Sequence, residues 1–260
     1  MKIIRLFIQV AILILLSIYS KANEVKREYY QLTVYQFRDT TQERLIDEYL
    51  SKAYLPALHK KGIKSIGVFK PIANDTAKIK IVYVLVPFRT LDQAKDLPGL
   101  LMKDNEYLKA GKTYLDADYK SPVYQRIENI LMQAFELAPK MQLPQLSSSV
   151  KDKIYELRNY ESASEKYNIS KEKMFQAGGE LDLFKKLNFN AIFYAHVIAG
   201  SRMPNLMYMT SFENMEQRDA HWKTFFDSPE WKTLKAAPEY QNNVSKAEVI
   251  LTKATAYSDY

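Results

Sequence analysis

The sequence predicts an α+β fold: two tandem copies of one βαββαβ unit, packed sheet to sheet. Three observations predict it. When the second half is laid over the first at an offset of about 125 residues, apolar positions match in the same order along the chain. Within each half, period-two alternation and helical periodicity succeed one another as strand, helix, strand, strand, helices, strand. Between the halves lies MQLPQLSSSVKD (141–152), polar and containing Pro and Ser, as a linker should be.

Taken in order, YQLTVYQF (30–37) falls on YELRNYES (155–162) as the first strand of each half. YLPALHKKGIKSIGVF (54–69) falls on GELDLFKKLNFNAIFY (179–194), the end of a helix and the start of the second strand. IKIVYVLVPFRTLDQA (79–94) falls on NLMYMTSFENMEQRDA (205–220), and NEYLKA (105–110) on PEWKTL (229–234). In the second half, IYELRNY (154–160) alternates as a strand. Ser162 with Glu165 has the spacing of a capping box and opens a helix to about Leu187. FNAIFYAHVI (189–198) is the next strand, Gly200 to Pro204 a turn, and NLMYMTSF (205–212) a third strand. A helix through QRDAHWKTFF and a short one opened by Asp227-Ser228-Pro229 lead to the last strand, VSKAEVILTK (244–253). Thr40 with Glu43 supplies the matching cap in the first half, where Pro56 bends the helix late. Strand-rich halves with helices on one sheet face form the ferredoxin-like plan. The second face, also apolar, is covered if the two sheets pack on each other. The expected domains are 27–138 and 153–256, with 139–152 between them.

The N-terminus, MKIIRLFIQVAILILLSIYSKAN, has basic Lys2 and Arg5, an apolar run from Ile8 to Ile18, and Ser20 and Ala22 at −3 and −1 of a cleavage site. Residues 1–22 therefore read as a secretory signal peptide. Retention as a membrane anchor is the competing reading, and the apolar run is short for it, since a span needs about 20 residues. Cleavage removes three positive charges and takes the net charge from +7 to +4. The chain from 24 to 140 then has 19 basic against 15 acidic residues, and 141–260 has 15 against 15. With no basic stripe and a secretory leader, nucleic acid is not an expected partner. There is no cysteine, which excludes disulfides, thiolate nucleophiles and Cys-ligated zinc. The three histidines, His59, His196 and His221, have no metal-site spacing, and no GxSxG, HExxH, P-loop or GxGxxG pattern occurs. A soluble periplasmic or extracellular protein is expected, with no membrane span after cleavage, as a monomer or homo-oligomer.

Particular residues resemble the NIPSNAP family. In the second half they are Tyr155-Glu156-Leu157-Arg158 with Tyr160, then Phe212-Glu213, Arg218-Asp219 and Asp227-Ser228-Pro229-Glu230-Trp231. In the first half, Leu55-Pro56-Ala57-Leu58, Gly62 and Gly67-Val68-Phe69 look like the same family's helix-to-strand segment. The likeness covers nearly all of 28–255. It implies a dimeric α/β barrel, here formed within one chain, enclosing a lumen. It implies no single reaction, because related barrels include oxygenases, haem proteins and binding modules.

Strand alternation puts Tyr155 and Leu157 on one face and Glu156, Arg158 and Tyr160 on the other. If the first face meets the helices, the second faces the lumen, with Gln31, Thr33 and Tyr35 as first-half counterparts. The expected ligand site is Arg158 as anchor for an anionic or carbonyl group, Glu156 orienting it, and Tyr160, Tyr35 and Tyr194 as wall. The bland alternative is a charged pair that only neutralises itself. Candidate bases are His196 and Glu156; His196 is also the candidate haem ligand, but a lone histidine on an apolar strand is more often a satisfied core residue. Trp222 and Trp231 read as packing of the crossover helices. The functions carried forward are binding of a small, partly apolar molecule in the lumen, a cofactor-free oxygenase or isomerase in the same lumen, and an interaction module with a filled lumen. No cofactor is expected, with haem as the outlying option.

Overall fold

The computed structural model of the chain describes residues 26–260, so the signal peptide read at 1–22 lies outside the described residues. Eight strands follow in order: β1 Tyr29–Phe37, β2 Gly67–Pro71, β3 Lys80–Phe88, β4 Arg126–Ala134, β5 Ile154–Glu161, β6 Asn190–Ala199, β7 Asn205–Phe212 and β8 Lys246–Ala254. They close into an antiparallel barrel in the order β1-β3-β2-β8-β5-β7-β6-β4. Each half contributes its strands in the spatial order fourth, first, third, second. The seams are β2 with β8, pairing Phe69 to Ala254, and β4 with β6, pairing Gln133 to His196. The barrel leaves neither sheet with an edge.

Helices α1 Thr40–Tyr49 and α2 Leu55–Lys60 connect β1 to β2, and α3 Leu91–Leu101, α4 Asn105–Ala110 and α5 Lys112–Leu115 connect β3 to β4. In the second half, α6 Glu165–Phe175 and α7 Glu180–Lys186 precede β6, and α8 Met215–Asp227 and α9 Pro229–Ala236 follow β7. The caps differ from expectation at both first helices. Asp39, not Thr40, caps α1: its carboxylate accepts from Gln42 N at 2.9 Å while the Gln42 side chain accepts from Arg38 N at 3.0 Å. Glu43 is drawn away to Lys70 at 2.7 Å. Ser162 donates to Asn243 O at 2.7 Å instead of capping α6. The single helix expected to Leu187 is broken at Gly179, whose φ of +90° lies where a Cβ is disfavoured. Pro56 lacks the N–H that would bond back to residue 52, and the turn before it, Leu50–Tyr54, widens to a π-helix.

The strand pairing also moves one superposition. Tyr29 pairs with Phe88 and Ile154 with Phe212. Phe88 therefore occupies the place of Phe212, and the alignment of 79–94 on 205–220 is two residues out.

Three apolar clusters divide the interior. One draws Tyr30, Leu32, Val34, Leu85, Tyr155, Leu157, Met207 and Met209 from both halves and fills the barrel. The second joins Tyr35 and Phe37 to α1–α5, and the third joins Tyr194, Tyr208 and Phe212 to Phe175, Phe184, Trp222 and Phe225 of the second helix layer. At one barrel end the C-terminal tail lies beside β2, with Thr255 N donating to Val68 O and Asp259 N to Ile66 O. The Tyr260 ring, 5.3 Å from Phe69 and 6.1 Å from Tyr155, closes that end. The segment 139–152 has no regular structure and is pinned where Ser147 N and Ser148 N donate to the Glu213 carboxylate.

Candidate functional site

The two faces of β5 are real, but they point the opposite way from the sequence expectation. Tyr155 and Leu157 fill the barrel, while Glu156, Arg158 and Tyr160 lie outside it beneath α6–α8. Tyr35 and Tyr194 likewise sit under helices. The physical reason lies on α8. Arg218 and Trp222 are four residues apart, so they share one helix face, and both reach Glu156. Its Oε2 accepts from Arg218 Nε at 2.6 Å and from Trp222 Nε1 at 2.9 Å, and its Oε1 accepts from Arg158 Nε at 2.5 Å. Arg158 stacks 3.6 Å over the Trp222 ring and donates to the Tyr160 hydroxyl, which in turn meets Tyr208 at 2.9 Å. Every oxygen of the fully buried Glu156 is thus occupied, which is what a buried charge requires. The geometry locks a helix to a sheet. Arg218 also pairs with Asp219.

His196 is half exposed on the outside of β6, and its Nδ1 meets Glu172 Oε1 at 2.6 Å. That hydrogen bond raises the imidazole pKa above its ordinary value. His59 pairs with Asp259 at 3.0 Å, and His221 Nδ1 donates to Gln217 O. No group of His, Asp and Glu able to hold a metal occurs among the described residues, nor any helix long and apolar enough to cross a membrane. The three N-X-S/T sequons place their asparagines, Asn74, Asn168 and Asn243, in buried positions.

The barrel end opposite Tyr260 is open and holds a cavity of about 70 Å³. Its floor is apolar, made by Leu32, Val34, Ile81, Leu157, Met207 and Ile250. Its rim is polar, made by Gln36, Tyr83, Glu128, Asn159, Asn205 and Glu248. The β6–β7 turn spans the rim: Ser201 Oγ donates to Glu128 on β4, and Arg202 pairs with Glu248 on β8. Burial, and then the Glu248 carboxylate nearby, pushes the Tyr83 phenol up to about 12, so it stays a hydroxyl at neutral pH. Asn159 and Asn205 are 1% and 3% exposed, and Asn205 Nδ2 donates to Asn159 Oδ1 at 2.5 Å. Six buried side-chain oxygens have no hydrogen-bond partner among the described residues, and only Asn205 Oδ1 belongs to a residue of this rim. A larger open groove of about 370 Å³ runs between residues 137–142 and β6. None of its polar side chains is buried and unpaired.

The sequence reading missed the rim. Its signal was two asparagines at inward strand positions, where asparagine is disfavoured.

Residues 155–259 match the NIPSNAP family model. No curated protein matches the chain. Two crystal structures, each described as a putative monooxygenase, share the fold. One is from Lactobacillus acidophilus NCFM, at 10% identity and TM-score 0.54, covering 88% of this chain and 94% of that one. The other is from Fusobacterium nucleatum subsp. nucleatum ATCC 25586, at 5% identity and TM-score 0.55, covering 88% and 92%. An uncharacterised NIPSNAP-like domain protein from Burkholderia xenovorans is 15% identical, with TM-score 0.37, and covers 41% of this chain and 88% of its own. The family model thus matches the second half of a closed eight-stranded antiparallel barrel, a fold shared with the two putative monooxygenases.

Proposed function

We propose that the chain is a secreted pair of ferredoxin-like repeats, 27–138 and 153–256, closed into one barrel that binds a small, partly apolar molecule in its lumen. The observation that carries this reading is the mouth cavity, with an apolar floor, a polar rim and one unpaired buried acceptor. The occupied state of Glu156 and Arg158 moves the proposed ligand contacts from those residues to Asn159, Asn205 and Tyr83. Native mass spectrometry of protein purified from its own source, before and after denaturation, tests it. The expected result is a chain beginning at Asn23, with a small adduct that is lost on denaturation and absent from Leu157→Trp, which fills the floor. An unmodified native mass, or an adduct that survives Leu157→Trp, removes the lumen as the binding site. A haem adduct would overturn the expectation of no cofactor.

A cofactor-free oxygenase or isomerase in the same lumen is the second reading, favoured by the monooxygenase descriptions of the two whole-chain neighbours. Neither His196 nor Glu156 lines the cavity, so a base would have to come from the rim, from Glu128 or Glu248. An adduct whose mass changes with time under oxygen would favour catalysis over binding.

A further inference from the structure

The polarity of the Asn159–Asn205 pair is fixed by a carboxylate. Glu161 Oε1 can only accept, and it takes a hydrogen bond from Asn159 Nδ2 at 3.1 Å. Asn159 must therefore present Oδ1 to its neighbour, and Asn205 must donate with Nδ2. What remains is Asn205 Oδ1, an acceptor that is buried and has no donor among the described residues. Burying an unpaired acceptor is costly. The fold itself does not demand it. By strand register, Asn159 corresponds to Val34 and Asn205 to Ile81: Val34 faces Tyr83 as Asn159 faces Met207, and Ile81 lies opposite Gln36 as Asn205 lies opposite Glu161. Val34 and Ile81 line the same cavity. The barrel thus builds this position apolar on one side and polar on the other.

From this we infer that the lumen selects an uncharged molecule with an O–H or N–H donor at its head and a short unbranched apolar tail. The inference rests on the lumen-binding reading above. The donor head meets Asn205 Oδ1, and the tail runs down along Leu157, Met207 and Val34. A cavity of about 70 Å³ is roughly half the volume that admits the six carbons of benzene in an engineered protein core, so about three carbons of the tail lie below the head. Glu128, Glu161 and Glu248 surround the entrance against Arg202 and Lys246, which disfavours an anionic head. Where water satisfies Asn205 Oδ1 in the free protein, a donor head preserves that hydrogen bond and an acceptor head breaks it.

Two isomers separate head chemistry from size: 1-butanol, which donates, and diethyl ether, which does not. Each is titrated against the mature protein while the side-chain amide resonances of Asn159 and Asn205 are followed by NMR, with butyrate as the anionic probe. The expected result is 1-butanol bound about tenfold tighter than diethyl ether, with butyrate weakest. In Asn159→Val/Asn205→Ile, which carries the residues of the opposite wall, the two isomers should bind within about twofold of each other. Equal binding of both to the parent protein overturns the donor inference and leaves the lumen reading standing. Failure of both to bind overturns the lumen reading as well, and butyrate binding tightest overturns the neutral-head assignment. If the double variant does not fold, the ratio measured on the parent protein decides alone.

Discussion

Replacing Glu156 by Gln changes one oxygen to an amide nitrogen and removes one charge. In the native site both oxygens are in use, with Arg158 Nε on one and Arg218 Nε and Trp222 Nε1 on the other. The carboxamide can offer its oxygen to only one side, so its NH₂ must face either Arg158 or the Arg218–Trp222 pair, donor against donor. Arg158 is 7% exposed and cannot turn to water. Breaking a buried pair from one side costs about 3–5 kcal/mol, because the partner charge is left behind. For a chain of this size each kcal/mol lowers the melting temperature by about 2–4 °C, so a drop of roughly 6–20 °C is expected. Calorimetry measures it. Trp222 fluorescence follows the same transition locally, since the Arg158 guanidinium lies 3.6 Å from its ring. Adding Arg158→Met to Glu156→Gln removes the stranded charge and should restore at least half of the loss. A Glu156→Gln protein melting within about 2 °C of its parent would refute the reasoning. So would losses from Glu156→Gln and Arg158→Met that merely add, since residues in one network must couple.

Two smaller effects follow from the same structure. The hydrogen bond that His196 Nδ1 donates to Glu172 raises the His196 pKa, so its contribution to stability is fully present below the unfolded value of about 6.5 and is lost as pH rises through the raised folded value. Urea midpoints measured from pH 5.5 to 8.5 should fall across that window, and Glu172→Gln should flatten the curve. If instead the parent gains stability with rising pH there, the assignment fails. Arg202→Ala, at an exposed side chain, should cost less than about 1 kcal/mol. It should nevertheless quicken exchange of 1-butanol with the lumen, because Arg202 ties the β6–β7 turn across the mouth to β8. Unchanged exchange rates would mean that the turn is no barrier.

Element order and the α8–α9 crossover were legible because each carries a local signal: alternation, and the Ser228-Pro229 start that the structure shows capping Trp231 N. The facing of the strands was not legible. Alternation separates Glu156 from Leu157 but is silent on which of them meets a helix. That depends on Arg218 and Trp222, more than 60 residues away. The helix starts failed for a related reason. Ser162 and Glu43 had the spacing of caps, but each found a distant partner, Asn243 and Lys70, that the local sequence does not contain. The lumen placements of Glu156, Arg158, Tyr160, Tyr35 and Tyr194 failed together, because all came from one choice of inward face. Asn159 and Asn205 were visible as polar residues in apolar strands but fell on the face taken as helix-covered.

The same division explains why the buried polar pair of the lumen wall is a pair of amides and the charges stay at the entrance. Outside the barrel, a helix can bring several donors to one carboxylate, as α8 does with Arg218 and Trp222 four residues apart. Inside, the neighbours of a strand residue are other strand residues at fixed spacing, and no helix can supply a counter-charge. A charge deep in that interior would stay unpaired and would cost several kcal/mol. An amide pair anchored at its outer end by Glu161 gives polarity at a far smaller desolvation cost. A molecule bound in the proposed lumen site is subject to the same constraint as the wall. A charged head is stable only at the rim among Arg202, Lys246 and the three carboxylates, and whatever passes below Asn205 must be neutral. Asn205→Asp moves a charge to that boundary and gives the sharpest check of the constraint. It should destabilise the barrel as pH rises through the carboxyl pKa, whereas a lumen open to water would show no such dependence.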